Sequence, residues 1–249
     1  MAQARAFLRN APIREAIIDL RIRERRGFEM HQLDSIRSRL EPDYVKKGPI
    51  VELHTDITVS DEGRGRAETK SRELGIRLHS RDEKYVAQFS REGFTFSRLA
   101  PYETWERLVE EARRLWTIYV ECVRPEAVTR VAARFINDLQ LPMQPGEQFE
   151  EYMSTPPQVP AALPQHVLEF LQRIVIHDTT TGLRAIVTQL LQGGGWTDRI
   201  PVILDIDVFC QPEFVPTSGD TWSCLRKMRD FKNRVFFESL TEKAVELYV

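Results

Sequence analysis

The sequence predicts an α+β fold in which one curved antiparallel sheet carries long helices on one face. Several segments alternate apolar and polar residues, as half-buried strands do. Two long stretches, one in the middle and one at the end of the chain, repeat apolar residues at helical spacing. The order strand, helix, strands, long helix also occurs twice. This repetition predicts two pseudo-equivalent halves, residues 1–125 and 126–249, within one compact unit.

The first half begins with an alternating segment at residues 16–22, which predicts a strand, and an amphipathic segment at residues 31–40, which predicts a helix. Its last element is a long helix that follows Pro101 and takes Thr104 as its N-cap. A polar, glycine-containing stretch at residues 61–73 predicts a mobile hairpin loop. Four further strands are predicted at residues 50–60, 75–80, 85–91 and 94–99.

The second half repeats this order with a strand at residues 128–139, a short helix at 147–153 and a long final helix at 221–240. Prolines between residues 156 and 164 predict an irregular arm over the surface. The three glycines at residues 193–195 predict a turn between strands. The remaining strands are predicted at residues 170–177, 183–191 and 202–210.

Two such halves, fused edge to edge with both long helices on one face of the sheet, resemble the arrangement of the TATA-binding protein. The other face of such a sheet is open. The alternative is a helix-grip sheet, in which the terminal long helix crosses a curved sheet and encloses a pocket.

The composition is that of an ordinary globular protein. The chain has 249 residues, 42% of them hydrophobic and 29% charged, and a formal net charge of −2, which argues against nucleic-acid binding through a bulk basic field. Its three widely spaced cysteines predict neither a disulfide framework nor a cysteine-based zinc site. No apolar run reaches the roughly 20 residues of a membrane span, and arginines interrupt any signal-peptide core. We therefore expect a cytoplasmic protein with no membrane contact and no cofactor.

Alternation on the predicted strands identifies the polar residues of the open face. The residues between core-facing apolar residues point away from the helices. The candidate partner-binding residues are Arg77, Arg134, Asp205, Asp207, His54 and His79. They predict a mixed-charge surface of cross-strand ion pairs, which suits a complementary protein partner. Two metal interpretations stay open: His54, Asp56 and His79 as a metal or acid–base site, and Asp205 with Asp207 as a divalent-cation site.

Three segments resemble a sporadically distributed, uncharacterised bacterial family of about this length. They are Asn10-x-Pro12-Ile13-x-Glu15-Ala16, Gly93-Phe94-x-x-Ser97-Arg98-Leu99-x-Pro101-Tyr102-x-x-Trp105-Glu106 and Leu163-Pro164-Gln165. The resemblance implies a patchy occurrence, typical of accessory operons such as phage defence or toxin–antitoxin pairs. It implies no activity and no catalytic residue.

The middle segment also has a structural interpretation. Gly93 permits a hairpin turn, Phe94 packs on the sheet, and Trp105 fixes the long helix to the sheet. Arg98 lies among apolar neighbours at a strand end. We expect it to pair with a carboxylate such as Glu106, or otherwise to point toward a ligand.

Familiar catalytic signatures are missing from the sequence, among them the Walker A loop and the Gly-x-Ser-x-Gly turn. We therefore predict a non-enzymatic interaction module that neutralises or scaffolds a protein partner encoded nearby. One alternative is a saddle-shaped nucleic-acid-binding protein, with phosphate contacts from Arg64, Arg66, Lys70 and Arg72. The other is a small-molecule-binding or hydrolytic enzyme with a pocket under a long helix.

Overall fold

The computed structural model describes residues 8–59, 65–143, 147–191 and 199–249. The strands are β1 (Ile13–Arg23), β2 (Tyr44–Val59), β3 (Gly65–Ser80), β4 (Tyr85–Ser90), β5 (Gly93–Leu99), β6 (Ala127–Leu141), β7 (Phe170–Asp178), β8 (Leu183–Leu191) and β9 (Ile200–Cys210). The helices are α1 (His31–Leu40), α2 (Trp105–Val123), α3 (Asp220–Glu238) and α4 (Glu242–Glu246), with a 3-10 turn at Phe149–Glu151.

One antiparallel sheet runs through both halves of the chain. Within the described residues its order is β2-β3-β4-β5-β1-β6-β9-β8-β7, so β1 and β6 pair near its centre. In each half the later strands lead back toward the first strand, which places β5 beside β1 and β9 beside β6. The predicted α+β class with a large antiparallel sheet is confirmed.

One face of this sheet is buried under two long helices. Ala16 and Ile18 of β1 point to this face and are fully buried, as the alternation predicts. Phe135 of β6 lies opposite Ala16, and its ring stacks on Trp105 of α2 with 6.3 Å between centroids. The same ring lies 4.0 Å from the ammonium of Lys232 on α3. Because one residue contacts both helices, α2 and α3 cover the same face.

The ends of α2 follow from its sequence. The Thr104 hydroxyl accepts a hydrogen bond from the Arg107 backbone N–H at 3.2 Å, so the predicted N-cap is confirmed. At the other end Arg124 adopts a left-handed conformation with φ 52°, and the following proline cannot continue the helix. The Trp116 indole N–H donates to the Pro216 carbonyl at 3.0 Å, which fixes α2 to the connection before α3.

Two predicted elements differ from the structure. The loop predicted at residues 61–73 is wrong over most of its length, because β3 begins at Gly65 and pairs with β2 as far as Val59. Residues 69–73 of β3 are all exposed. This part of the strand is therefore stabilised by its backbone hydrogen bonds to β2, and its sequence shows no alternation of apolar residues. The helix predicted at residues 147–153 is a three-residue turn, because Met153 leaves it to form a bridge with Leu240.

Some expectations fall on residues outside the described ranges. The glycine turn at residues 193–195 is one of these, as are the side chains of His54 and Asp56 and the loop residue Arg64. Among the described residues, no helix combines the length and the apolar character needed to cross a membrane.

Candidate functional site

A network of ion pairs lies at the centre of the helix-free face. Arg130 of β6 donates to Asp19 of β1 at 2.7 Å and to Asp207 of β9 at 2.9 Å. Its guanidinium lies 5.0 Å from the centroid of the Phe209 ring. Only 14–26% of each of these three charged side chains is exposed, and Ala132 on the same face is buried. The network therefore forms a compact layer on the sheet rather than a solvated rim.

A second ion pair lies beside this network. Arg134 is directly opposite Asp207 in register, yet its guanidinium turns to Asp205 and binds it through two nitrogens at 2.6–3.1 Å. The Arg134 side chain is 45% exposed and that of Asp205 is 16% exposed. Each aspartate of the Asp205–Asp207 pair is thus held by its own arginine, as the ion-pair interpretation expects. Within the described ranges, no three His, Cys, Asp or Glu side chains converge on a metal position.

Burial changes the acidity of this network. Burial raises the pKa of Asp207, and this effect outweighs the attraction of Arg130 and Arg134. Its Oδ1 atom is buried and has no hydrogen-bond partner in the part of the chain that the structure describes. Hydrogen bonding to Asp205 raises the pKa of Arg134. The ionised form of Asp207 is therefore incompletely compensated, and Arg130 is the nearest group that compensates it.

The other predicted residues lie toward the β2 edge of the sheet. Arg77 of β3 is exposed and lies opposite Gln88 of β4. His79 lies two residues further along the same strand. His54 of β2 lies opposite Lys70, nine residues before His79, which corresponds to about 30 Å of extended strand. The structure therefore does not bring the two histidines together, because the β2–β3 register separates them.

Arg98 forms an ion pair in the core, but its partner differs from the predicted one. The buried guanidinium donates to Glu103 at 2.7 Å and stacks on Tyr85 at 4.6 Å. Glu106 instead accepts from Arg229 of α3 at 2.9 Å. The prediction of Glu106 is wrong because this residue is on the first turn of α2 and contacts α3. Glu103 precedes the helix and can fold back over the strand end.

β7 forms an edge of the sheet and exposes apolar side chains on both of its faces. Leu171 and Val175, on the open face, are 70% and 54% exposed, while Ile174 and Ile176, on the helix side, are 44% and 40% exposed. β8 pairs with one side of β7, and no strand in the described part of the chain pairs with the other. The unpaired side of β7, here called the free β7 edge, thus combines open backbone groups with apolar surface.

The edge formed by β2 is different. Its pairing with β3 shifts register between Lys46 and Gly48 and again between Ile50 and Val51. Pro49, which lacks an N–H donor, lies between the two irregularities. β7 pairs with β8 over nine consecutive positions without a shift and contains no proline. Bulges and prolines keep further strands away from a sheet edge, so β2 is protected and β7 is not.

The open face beside the free β7 edge is positively charged. Arg173 and His177 of β7 are exposed there, and Arg184 of β8 lies opposite His177. Asp178 points to the other face, where it accepts from Arg234 of α3 at 3.0 Å. No ion pair to Arg173 or Arg184 is formed by the residues that the structure describes. An acidic side chain brought to this edge would therefore find two available guanidinium groups.

A groove of about 640 Å³ lies between α2 and α3. Trp105 and Trp222 line it, and Arg113 stacks on Trp222 at 5.0 Å. It is formed between the two helices. A second cavity, of about 430 Å³, lies between α3 and the sheet, where Phe231 faces Ile174 and Val187, and this is the kind of position that the enzyme alternative predicts.

No protein-family model and no curated protein matches the chain. Among the residues that the structure describes, the free β7 edge combines unpaired backbone groups, exposed apolar side chains and a regular strand.

Proposed function

We propose that the protein is a non-enzymatic interaction module, and that a partner protein binds it by adding an extended strand to the free β7 edge. One observation carries this proposal. β7 is a regular nine-residue edge strand with apolar side chains exposed on both faces and no protecting irregularity. An added strand bonds to the open backbone groups and covers both apolar faces at once.

The residues along β7 define the chemistry of the partner. Its strand carries apolar side chains that pack against Val175 on one face and Ile174 on the other. On the open face it carries an acidic residue within reach of Arg173, because this exposed guanidinium has no ion-pair partner among the described residues. The partner segment is therefore extended, mainly apolar and acidic at one position.

A second copy of this chain is a poorer occupant of the edge. In a fully paired antiparallel register of two β7 strands, the centre is Ile174 and Arg173 lies opposite Val175. The two copies of Arg173 then become diagonal neighbours on the same face, about 7–8 Å apart and within reach of each other's long side chains, so that repulsion between their like charges opposes this pairing. We therefore expect the partner to be a different protein.

In this proposal the ion pairs of the open face help to orient the partner. Asp205 and Asp207 on β9 lie two strands from β7, and Arg134 on β6 lies three strands from it. Arg134 is the most exposed of the three. Charged groups beside an interface orient a partner more than they add affinity. Since Arg130 and Arg134 are already paired with aspartates, the centre of this face gives no support to the nucleic-acid alternative.

We infer that residues 1–125 and 126–249 are pseudo-repeats in a curved sheet like that of the TATA-binding protein. The equivalent positions of β5 beside β1 and β9 beside β6 support this, as do two closing helices of 19 residues each. The resemblance to a patchily distributed bacterial family favours a cytoplasmic partner encoded nearby, as in phage-defence or toxin–antitoxin operons.

Two matched edge variants test the function. Val175→Lys places a charge on the free β7 edge, and Val51→Lys makes the same change on the protected β2 edge, where the valine is 45% exposed. The tagged wild type and both variants are recovered from the native host, and the bound proteins are quantified by mass spectrometry. We expect one protein to bind the wild type and Val51→Lys, and its recovery with Val175→Lys to fall at least tenfold.

The proposal fails if every bound protein is recovered in equal amounts with Val175→Lys and Val51→Lys, provided that all three chains unfold at similar temperatures. It also fails if light scattering shows that the purified wild type is a dimer that Val175→Lys converts to a monomer, because the edge would then be occupied by a second copy.

A further inference from the structure

Two cysteines that are distant in the sequence lie in contact in the structure. Cys210 is the last residue of β9 and Cys224 lies in the first turns of α3. Their Sγ atoms are 3.1 Å apart, although the residues are separated by 14 positions. Both side chains are half-buried free thiols. A disulfide needs an Sγ–Sγ distance of about 2.05 Å, so an approach of about 1 Å brings the sulfurs to bonding distance.

We propose that Cys210 and Cys224 are a redox-active pair, which a low-molecular-weight disulfide such as oxidised glutathione converts into an intramolecular disulfide. The third cysteine, Cys122, lies near the end of α2, with its sulfur 3.8 Å from Arg39. It therefore serves as an internal control for simple thiol reactivity.

The surroundings of the two sulfurs assign them different roles. A hydrogen bond from the Cys210 thiol lowers the pKa of Cys224, and the ammonium of Lys227 acts in the same direction. The same contact raises the pKa of Cys210, and burial adds to this effect. The thiolate is the attacking form of cysteine. Cys224 is therefore the attacking residue and Cys210 the resolving residue.

The reaction consists of two exchange steps. The Cys224 thiolate attacks one sulfur of oxidised glutathione, the S–S bond of the oxidant breaks, and one glutathione thiolate leaves. Cys210 then loses its proton to solvent and attacks the Cys224 sulfur of the mixed disulfide, which releases the second glutathione thiolate. Two protein thiols are oxidised and one glutathione disulfide is reduced, so that electrons and atoms balance.

The new bond would close a loop of residues 211–223, which comprises the connection between β9 and α3 and the first turn of α3. Within this connection Phe214 forms a bridge with Val128, and Pro216 accepts the hydrogen bond from Trp116. A loop of about 15 residues closed by a disulfide loses conformational freedom in the unfolded chain. For a protein of this size we expect the midpoint of thermal unfolding to rise by about 5–10 °C on oxidation.

The test uses the purified, reduced full-length chain and oxidised glutathione as the probe. Free thiols are counted by mass after alkylation in denaturant. We expect the wild type to fall from three free thiols to one, and Cys122→Ser to fall from two to none. Cys210→Ser keeps a glutathione adduct on Cys224, because its resolving thiol is missing. The unfolding midpoint rises on oxidation for the wild type and Cys122→Ser and stays unchanged for Cys210→Ser.

Three results would overturn the proposal: retention of all three thiols in the folded wild type, a disulfide that includes Cys122, or disulfide-linked dimers on a non-reducing gel. Since Cys122→Ser leaves the pair intact and Cys210→Ser removes one sulfur atom, at least one informative variant remains if the other fails to fold.

Discussion

Replacing Arg130 by methionine removes the guanidinium that links Asp19 to Asp207 in the central ion-pair network. Asp19 keeps the hydroxyl of Thr95 at 2.8 Å and the guanidinium of Arg21 at 3.3 Å as partners. Asp207 loses its hydrogen bond from Arg130, and its other oxygen is already buried with no partner among the described residues. The loss in the free energy of unfolding therefore comes mainly from the uncompensated charge of Asp207.

The size of the effect follows from the bonds that are lost. Arg130 makes two charge-assisted hydrogen bonds to carboxylates that are less than one-fifth exposed. Since each such bond contributes about 1.5–3 kcal/mol and methionine retains part of the packing, we expect a loss of about 2–4 kcal/mol in the free energy of unfolding. The control, Arg134→Met, removes a half-exposed partner and should cost about 0.5–1 kcal/mol.

The pH dependence gives a second, independent signature. The pKa of Asp207 is raised in the folded state, and without Arg130 it should rise further. A carboxyl whose folded-state pKa is raised disfavours folding when it is ionised, so the deficit of Arg130→Met is fully present at neutral pH. As the pH falls through the folded-state pKa of Asp207, the folded protein takes up the proton and the deficit shrinks.

Thermal unfolding by calorimetry or circular dichroism, from neutral to acidic pH, measures both effects. At about 2–4 °C per kcal/mol, Arg130→Met should lower the neutral midpoint by about 4–16 °C and Arg134→Met by about 1–4 °C. Equal losses in the two variants would refute the distinction between the largely buried Arg130, 26% exposed, and the half-exposed Arg134, 45% exposed. A deficit for Arg130→Met that stays constant with pH would refute the role given to Asp207.

Three further predictions concern single contacts. Arg134→Glu should weaken folding slightly, by about 1 kcal/mol, and the double charge swap with Asp205→Arg should recover that loss, as a double-mutant cycle in urea would show. Phe135→Ala opens a cavity beneath both long helices and should cost about 3–5 kcal/mol by urea unfolding; a cost below 1 kcal/mol would contradict its central position. Thr104→Ala should cost about 0.5–2 kcal/mol through loss of the helix cap, whereas Thr104→Asp, which keeps an acceptor, should cost much less.

Much of the architecture could be predicted from the sequence, because burial on one face leaves a periodic pattern. α1 spans residues 31–40 and β8 spans residues 183–191, as predicted. The same alternation placed Arg134, Asp205 and Asp207 on the helix-free face. The ribbon of β2 and β3 was partly missed because both of its faces are exposed at residues 69–73, so no apolar side is selected.

The candidate site was harder to predict, because it depends on register and on sheet order. Apolar residues occupy both alternating positions of β7, from Leu171 to Ile176, which is typical of a strand covered on both faces. Only the sheet order shows that β7 is an edge strand, and this position leaves its apolar side chains exposed. Likewise, Cys210 and Cys224 are in contact because the start of α3 packs beside the end of β9. The spacing of the two cysteines along the chain does not predict this packing.

Site-specific photo-crosslinking in the native host shows directly whether a partner strand binds the free β7 edge. A photoreactive amino acid replaces Val175 on the free β7 edge in one chain and Val51 on the β2 edge in a second chain. We expect position 175 to crosslink to one extended segment of a different protein, mainly apolar with an acidic residue, and position 51 not to crosslink to it. Equal crosslinks from both positions, crosslinks from position 175 to another copy of the chain, or none from position 175 would contradict strand addition at β7.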